Sequence, residues 1–94
     1  MAKPDNNRTS LLLKYYHRYL SDGNTARLIA SIAGRFSLAT IQRLLVSGNI
    51  EIRRAAALVL GLLGNSDCAQ LLGQCLRSQD RRLRLVADDA LRSI

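Results

Sequence analysis

Aromatic residues are scarce in this chain: tryptophan is absent, and the whole set is Tyr15, Tyr16, Tyr19 and Phe36. Proline occurs once, at Pro4, so everything after it is free of the residue that breaks helices. Cysteine is limited to Cys68 and Cys75. On a helix that spacing corresponds to about 10.5 Å of rise, too far for the two to bridge. Cys75 falls on an apolar stripe with Leu71, Leu72 and Leu76 and is expected to act as a small buried hydrophobe. Two such cysteines fit a reducing compartment, so a cytoplasmic location is expected. The one histidine, His17, lies far from both cysteines in sequence, and no metal site is expected. No apolar run approaches the roughly 18 residues of a membrane span. Residues 1–10 are polar and lack the apolar segment of a secretory signal.

Acidic residues are few as well: 7 against 14 lysines and arginines, a net charge of +7. Between residues 25 and 50 there is no acid at all, only Arg27, Arg35 and Arg43. The excess is spread over the whole chain, with one short cluster at Arg81, Arg82 and Arg84. That distribution gives a general attraction for acidic partners, or it is the solvated face of Arg-rich helices. It is not a dedicated basic tail.

The ingredients of catalysis are missing too. No glycine-rich loop could cradle a phosphate, because the glycines fall at helix ends or at Gly61 inside a helix. His17, within Tyr15-Tyr16-His17-Arg18-Tyr19, is expected on a polar surface. Asp88 and Asp89 are neighbours pointing about 100° apart on a helix, which denies them the roles of paired acid and base. One of them is expected to pair with Arg84, Arg92 or Arg53. No catalytic residue, no cofactor and no enzyme activity are expected.

What the chain does have is leucine, alanine and isoleucine at helical spacing, and repetition. The hydrophobic fraction is 48%. A shift of 31 residues takes Asn49 to Asp80, Ile52 to Leu83, Arg53 to Arg84, Ala56 to Ala87 and Leu60 to Leu91. It also takes Ile41 to Leu72, Leu44 to Cys75 and Leu45 to Leu76. A backward shift pairs Ala26, Leu28, Ile29 and Ile32 with Ala57, Val59, Leu60 and Leu63, though Asp22-Gly23-Asn24 interrupts that earliest copy. Each unit contains two helical stretches. Apolar residues at 38, 41, 44 and 45 predict one helix, which Ser47-Gly48-Asn49 ends. Asn49 and Asp80 are placed to cap the helices 51–63 and 81–94. Gly64 is expected to close helix 51–63 with a positive φ. Helix 68–77 fills the third unit, and helices 10–20 and 25–36 the first. The expectation is a loose polar tail over residues 1–9, then one domain over 10–94 made of pairs 10–36, 37–64 and 67–94.

The run from Asn49 to Gly64, Asn-Ile-Glu-Ile-Arg-Arg-Ala-Ala-Ala-Leu-Val-Leu-Gly-Leu-Leu-Gly, closely resembles a HEAT-like repeat. The variety it resembles is the short bacterial kind also found in phycobilin lyases. There a capping Asp or Asn leads to an apolar-Arg pair and an alanine-rich helix ending in Leu-Gly-x-Leu-Gly. Asp80 to Ile94 repeats the pattern more loosely, with Arg92 where Gly61 stands and no proline after either cap. The resemblance implies an all-α, right-handed α-α superhelix of about six helices in three hairpin pairs. No bilin-binding cysteine or acidic pair is identifiable, so the lyase activity does not follow.

The resemblance also implies that the second helix of each pair lines a concave face where partners bind. On helix 51–63 that places Arg54, Leu58 and Leu62 at the face. Arg27 and Ser31 are the equivalents one unit earlier, and Leu85, Asp89 and Ser93 one unit later. Arg27, Arg54, Leu58, Leu62 and Leu85 are therefore the candidate partner-binding residues, on an apolar centre ringed by arginine that suits a protein partner. Leu58 and Leu62 could equally be packed inside the stack. The alternative is a nucleic acid, held by dispersed arginines and the helix carrying Lys14, Tyr15, Arg18 and Tyr19. Those tyrosines could instead cover the end of the stack. Ile94 matches Leu63, expected to be buried, so the C-terminal helix pair is a candidate for self-association.

Overall fold

The computed structural model describes residues 4–63 and 66–94, with side chains from Thr9 onward. It contains six α-helices: α1 (Pro4–Asp22), α2 (Thr25–Ala33), α3 (Leu38–Leu44), α4 (Ile50–Leu63), α5 (Ala69–Cys75) and α6 (Arg81–Ser93). A 3-10 turn over Ser66–Cys68 leads into α5, and no strand occurs among the described residues. The fold is an all-α helical repeat.

Local chemistry explains most boundaries. Asn49 Oδ1 accepts from the amides of Glu51 at 2.9 Å and Ile52 at 3.3 Å, opening α4. Asp80 Oδ2 does the same for α6, accepting from the Leu83 amide at 2.7 Å. Ser37 Oγ accepts from the Thr40 amide at the start of α3, and Asn24 Oδ1 from the Arg27 amide at the start of α2. Each satisfies an amide that the helix itself leaves unpaired. Gly23 adopts φ +65° and donates to Tyr19 O at 2.7 Å, ending α1 where a side chain would be strained.

Several boundaries differ from the sequence expectation. Helix α1 begins at Pro4 rather than Ser10, because proline is well suited to a first helical position where its missing N–H is not needed. The segment expected as a loose tail is therefore helical from Pro4 onward. Helix α2 stops at Ala33 rather than Phe36, as the amides of Arg35 and Phe36 both turn back to Ile32 O. The expected φ of Gly64 lies outside the described residues.

Helices α4 and α6 pack most closely, with α3 and α5 against them on the outer side. A Cβ placed on Gly61 would sit 2.5 Å from Ala90 Cβ and 2.7 Å from Ala90 Cα, so this crossing needs glycine. Around it Ala55, Ala56, Ala57, Leu60 and Ala87 are fully buried. Small side chains bring the axes together, and Leu60, Leu72 and Leu83 fill the space left between layers.

Helix α1 breaks the pattern of the outer layer. Its principal neighbours are α2 and α4, not α3. Leu12, Tyr15 and Tyr16 are buried by this placement, and His17 Nε2 lies 2.8 Å from Glu51 Oε2 at the start of α4. The backward 31-residue register holds only in part at α2, where Leu28 is buried like its counterpart Val59. Ala26 is exposed where its counterpart Ala57 is buried, and Ile32 is buried where Leu63 is exposed. With Leu63 at the surface, the match of Ile94 to a buried position no longer holds, although Ile94 itself packs partly against the core.

The same register pairs Leu58, Gly61 and Leu62 of α4, on the part that receives α6, with Asp89, Arg92 and Ser93 of α6. Arg92 pairs with Asp88 at 3.1 Å.

Candidate protein-docking groove

An open groove of about 100 Å³ runs between α4 and α6. Leu58 and Leu62, one turn apart on α4, form one wall with Gly61 at its floor. Val86 and Ala90 of α6 form the other, and Asp89 and Ser93 line its polar rim. Both leucines are half-buried and lean on the core. Leu85 stands one turn before Asp89 on α6 and is 54% exposed. It is the largest apolar side chain offered to solvent on this helix.

Arg54 does not line the groove. Its Nε donates to Asp80 Oδ2 at 2.8 Å and its second terminal nitrogen reaches Asp80 Oδ1, a bidentate pair joining α4 to the cap of α6. Both side chains are only 21% exposed. The Arg54 guanidinium, helped by the Leu83 amide, holds the Asp80 carboxyl down at about 2. The same pairing raises the Arg54 pKa. Tyr16 of α1 faces this end of the stack: burial raises its phenol, and the Arg82 and Arg54 guanidiniums act the other way. The sequence reading missed this junction, although the 31-residue spacing of Asn49 and Asp80 marked where a repeat-to-repeat contact should fall.

Arg27 is placed elsewhere. It pairs with Asp22 at the α1–α2 turn and lines a separate depression with Lys14 and Arg18. The structure thus brings Leu58 and Leu62 together, leaves Leu85 exposed on α6 outside the groove lining, uses Arg54 as a brace and places Arg27 on a separate depression. Of the expected partners for the adjacent aspartates, Arg92 is the one found, on Asp88 and within α6 rather than between repeats.

Nothing in the groove has the make-up of a reactive centre. Cys68 and Cys75 are free, buried thiols. Burial pushes the Cys75 thiol up, away from the reactive thiolate. Gln42 Nε2 donates to Cys68 Sγ at 3.1 Å, tying α3 to the turn before α5. His17 faces Glu51 at the surface with no nucleophile beside it. Among the described residues no group of His, Cys, Asp and Glu could hold a metal ion, and no helix is long and apolar enough to cross a membrane.

A stack of helical hairpins with small residues at the crossing of successive second helices defines an all-α helical-repeat protein. A family model of HEAT repeats matches residues 17–92, and the chain belongs to that family. No curated protein and no solved structure matches it. HEAT repeats generally mediate protein–protein interaction or scaffolding.

Proposed function

We propose that this protein is a non-catalytic interaction module that binds an apolar stretch of a partner protein in the α4–α6 groove. The observation that carries the reading is the arrangement of Leu58, Leu62 and Val86 around an open space, with Leu85 exposed on the same helix as Val86, one turn before Asp89 of the rim. An amphipathic partner helix with apolar residues at i and i+4 would seat them against Leu58 and Leu62. Asp89 and Ser93 would meet its polar edge. Arg54 supports the groove from behind through Asp80, and Arg27 belongs to a different surface. The free buried cysteines support a cytoplasmic location for this work.

The test is affinity capture from the native host on the immobilised chain, read by mass spectrometry, with Leu85→Asp and Leu62→Asp beside the wild type. Leu85 is largely solvated, so Leu85→Asp should melt within about 0.5 kcal/mol of wild type and lose the partner. Retention of the same partner by both variants, with folding intact, would place binding elsewhere.

A further inference from the structure

The α1–α2 hairpin carries a surface that the protein-docking groove does not use. Lys14 and Arg18, one turn apart on α1, face Arg27 and Arg35 across an open depression of about 680 Å³. No carboxylate lines it. Arg27 is engaged by Asp22 at the rim, whereas Lys14, Arg18 and Arg35 pair with no acid among the described residues. All three are exposed. Lys14 and Arg18 stand across the depression from Arg35, and like charges there repel one another with no ion-pair partner among the described residues.

We infer that this depression binds the sugar-phosphate backbone of duplex nucleic acid, without reading its sequence. Three features select that occupant. The surface is polar, and the apolar contact it offers is small: Ala30 and the edge of Tyr15. A peptide gains much of its affinity from buried apolar anchors, and there is no pocket here to receive one. A continuous polyanion needs none, because release of its condensed counterions supplies the affinity. Single strands are normally held by stacking on exposed rings, yet Tyr15 is 9% exposed and Tyr16 only 3%. Tyr19, partly exposed, lines the adjoining depression with Asp22 rather than this one, so only phosphates are left to grip here, and a duplex presents them at a fixed surface. The net charge of +7, distributed along the chain, draws such a polyanion in from a distance.

The experiment is fluorescence anisotropy of the whole chain with two labelled duplexes of about 20 base pairs and unrelated sequence, titrated across salt. Both duplexes should bind equally. With three free cations engaged, the slope of log K against log salt should be about −3, roughly a 40-fold loss between 50 and 200 mM. The variant Lys14→Glu/Arg18→Glu/Arg35→Glu should abolish binding, and Arg77→Glu on the far side of the stack should leave it unchanged. Circular dichroism checks that the triple variant folds. The milder pair Arg18→Gln/Arg35→Gln, which lowers the slope to about −1, reads the same surface if it does not. Absence of binding at low salt, or binding that survives the charge reversals in a folded protein, overturns the inference. So does a polyglutamate peptide that binds more tightly than the duplex at equal length, which would make the surface one for acidic proteins.

Discussion

The two ends of this small stack are built on different terms. From α3 onward, successive pairs repeat a register of 31 residues, and the second helices touch at glycine and alanine. The α1–α2 hairpin has the helices but only part of the register. Its small residues Ala26, Ala30 and Ala33 are exposed, and its first helix leans on α4 through Tyr16 and His17. Where small residues face each other the chain obtains a close-packed core. Where they face water the hairpin is attached by a few larger side chains, and its surface is left to arginine and lysine. The division extends to the surface: an apolar groove on the repeat half, a cationic depression on the other.

The strongest way to break the comparison is to empty the repeat core. Leu60 is fully buried, and Leu60→Ala should cost about 2–5 kcal/mol in urea unfolding. A smaller loss would mean that the α4 layer is loosely packed. The paired substitutions Gly61→Val and Ala30→Val sharpen the contrast, because these positions correspond in the 31-residue register. At Gly61 the new side chain meets Ala90, and about 1–3 kcal/mol of stability should be lost, with partial recovery on adding Ala90→Gly. At exposed Ala30 the loss should stay under about 0.7 kcal/mol, the difference in helix propensity. Equal costs at both sites would erase the asymmetry.

Acid should act on the repeat half through Asp80. Its folded carboxyl lies at about 2, below the ordinary 3.8. The unfolded chain therefore binds the proton more readily, and the pair's contribution is present above the ordinary value and lost as pH falls toward 2. Asp80→Asn keeps a capping oxygen but removes this charge. It should flatten that part of the acid limb of a melting-temperature profile, and an unchanged limb would show that the Arg54–Asp80 brace contributes little. The smallest effect is expected at the exposed ion pair of α6. Arg92→Ala breaks the exposed i,i+4 pair with Asp88 and should change stability by no more than about 0.5 kcal/mol.

The repeat half was legible because local rules and packing agree there. Asn49 and Asp80 announced their helices, the alanine-rich stretch announced a close crossing, and Gly61 falls where α6 needs it. Helical spacing put Leu58 and Leu62 on one face and left open whether they are packed or exposed; they are half-buried, a state that depends on how α6 lies over α4. The first pair was misregistered because helical periodicity fixes a face but not a neighbour. Nothing in Tyr15-Tyr16-His17 states that α1 will lie against α4 rather than α3. Arg54 looked like a surface cation because its partner, Asp80, lies 26 residues away and was read only as a cap. Arg27 was assigned by a register that holds only in part before α4.

The central claim is that the α4–α6 layer forms the stable platform and the α1–α2 hairpin is held to it more weakly. Native-state hydrogen exchange tests this in a single sample. Amides inside α4 and α6, such as those of Leu60 and Ala87, should exchange only through global unfolding and respond steeply to urea. Amides of α2, such as that of Ile32, should exchange faster through an opening that leaves α4 and α6 protected. A single exchange free energy shared by α2, α4 and α6 would contradict the account.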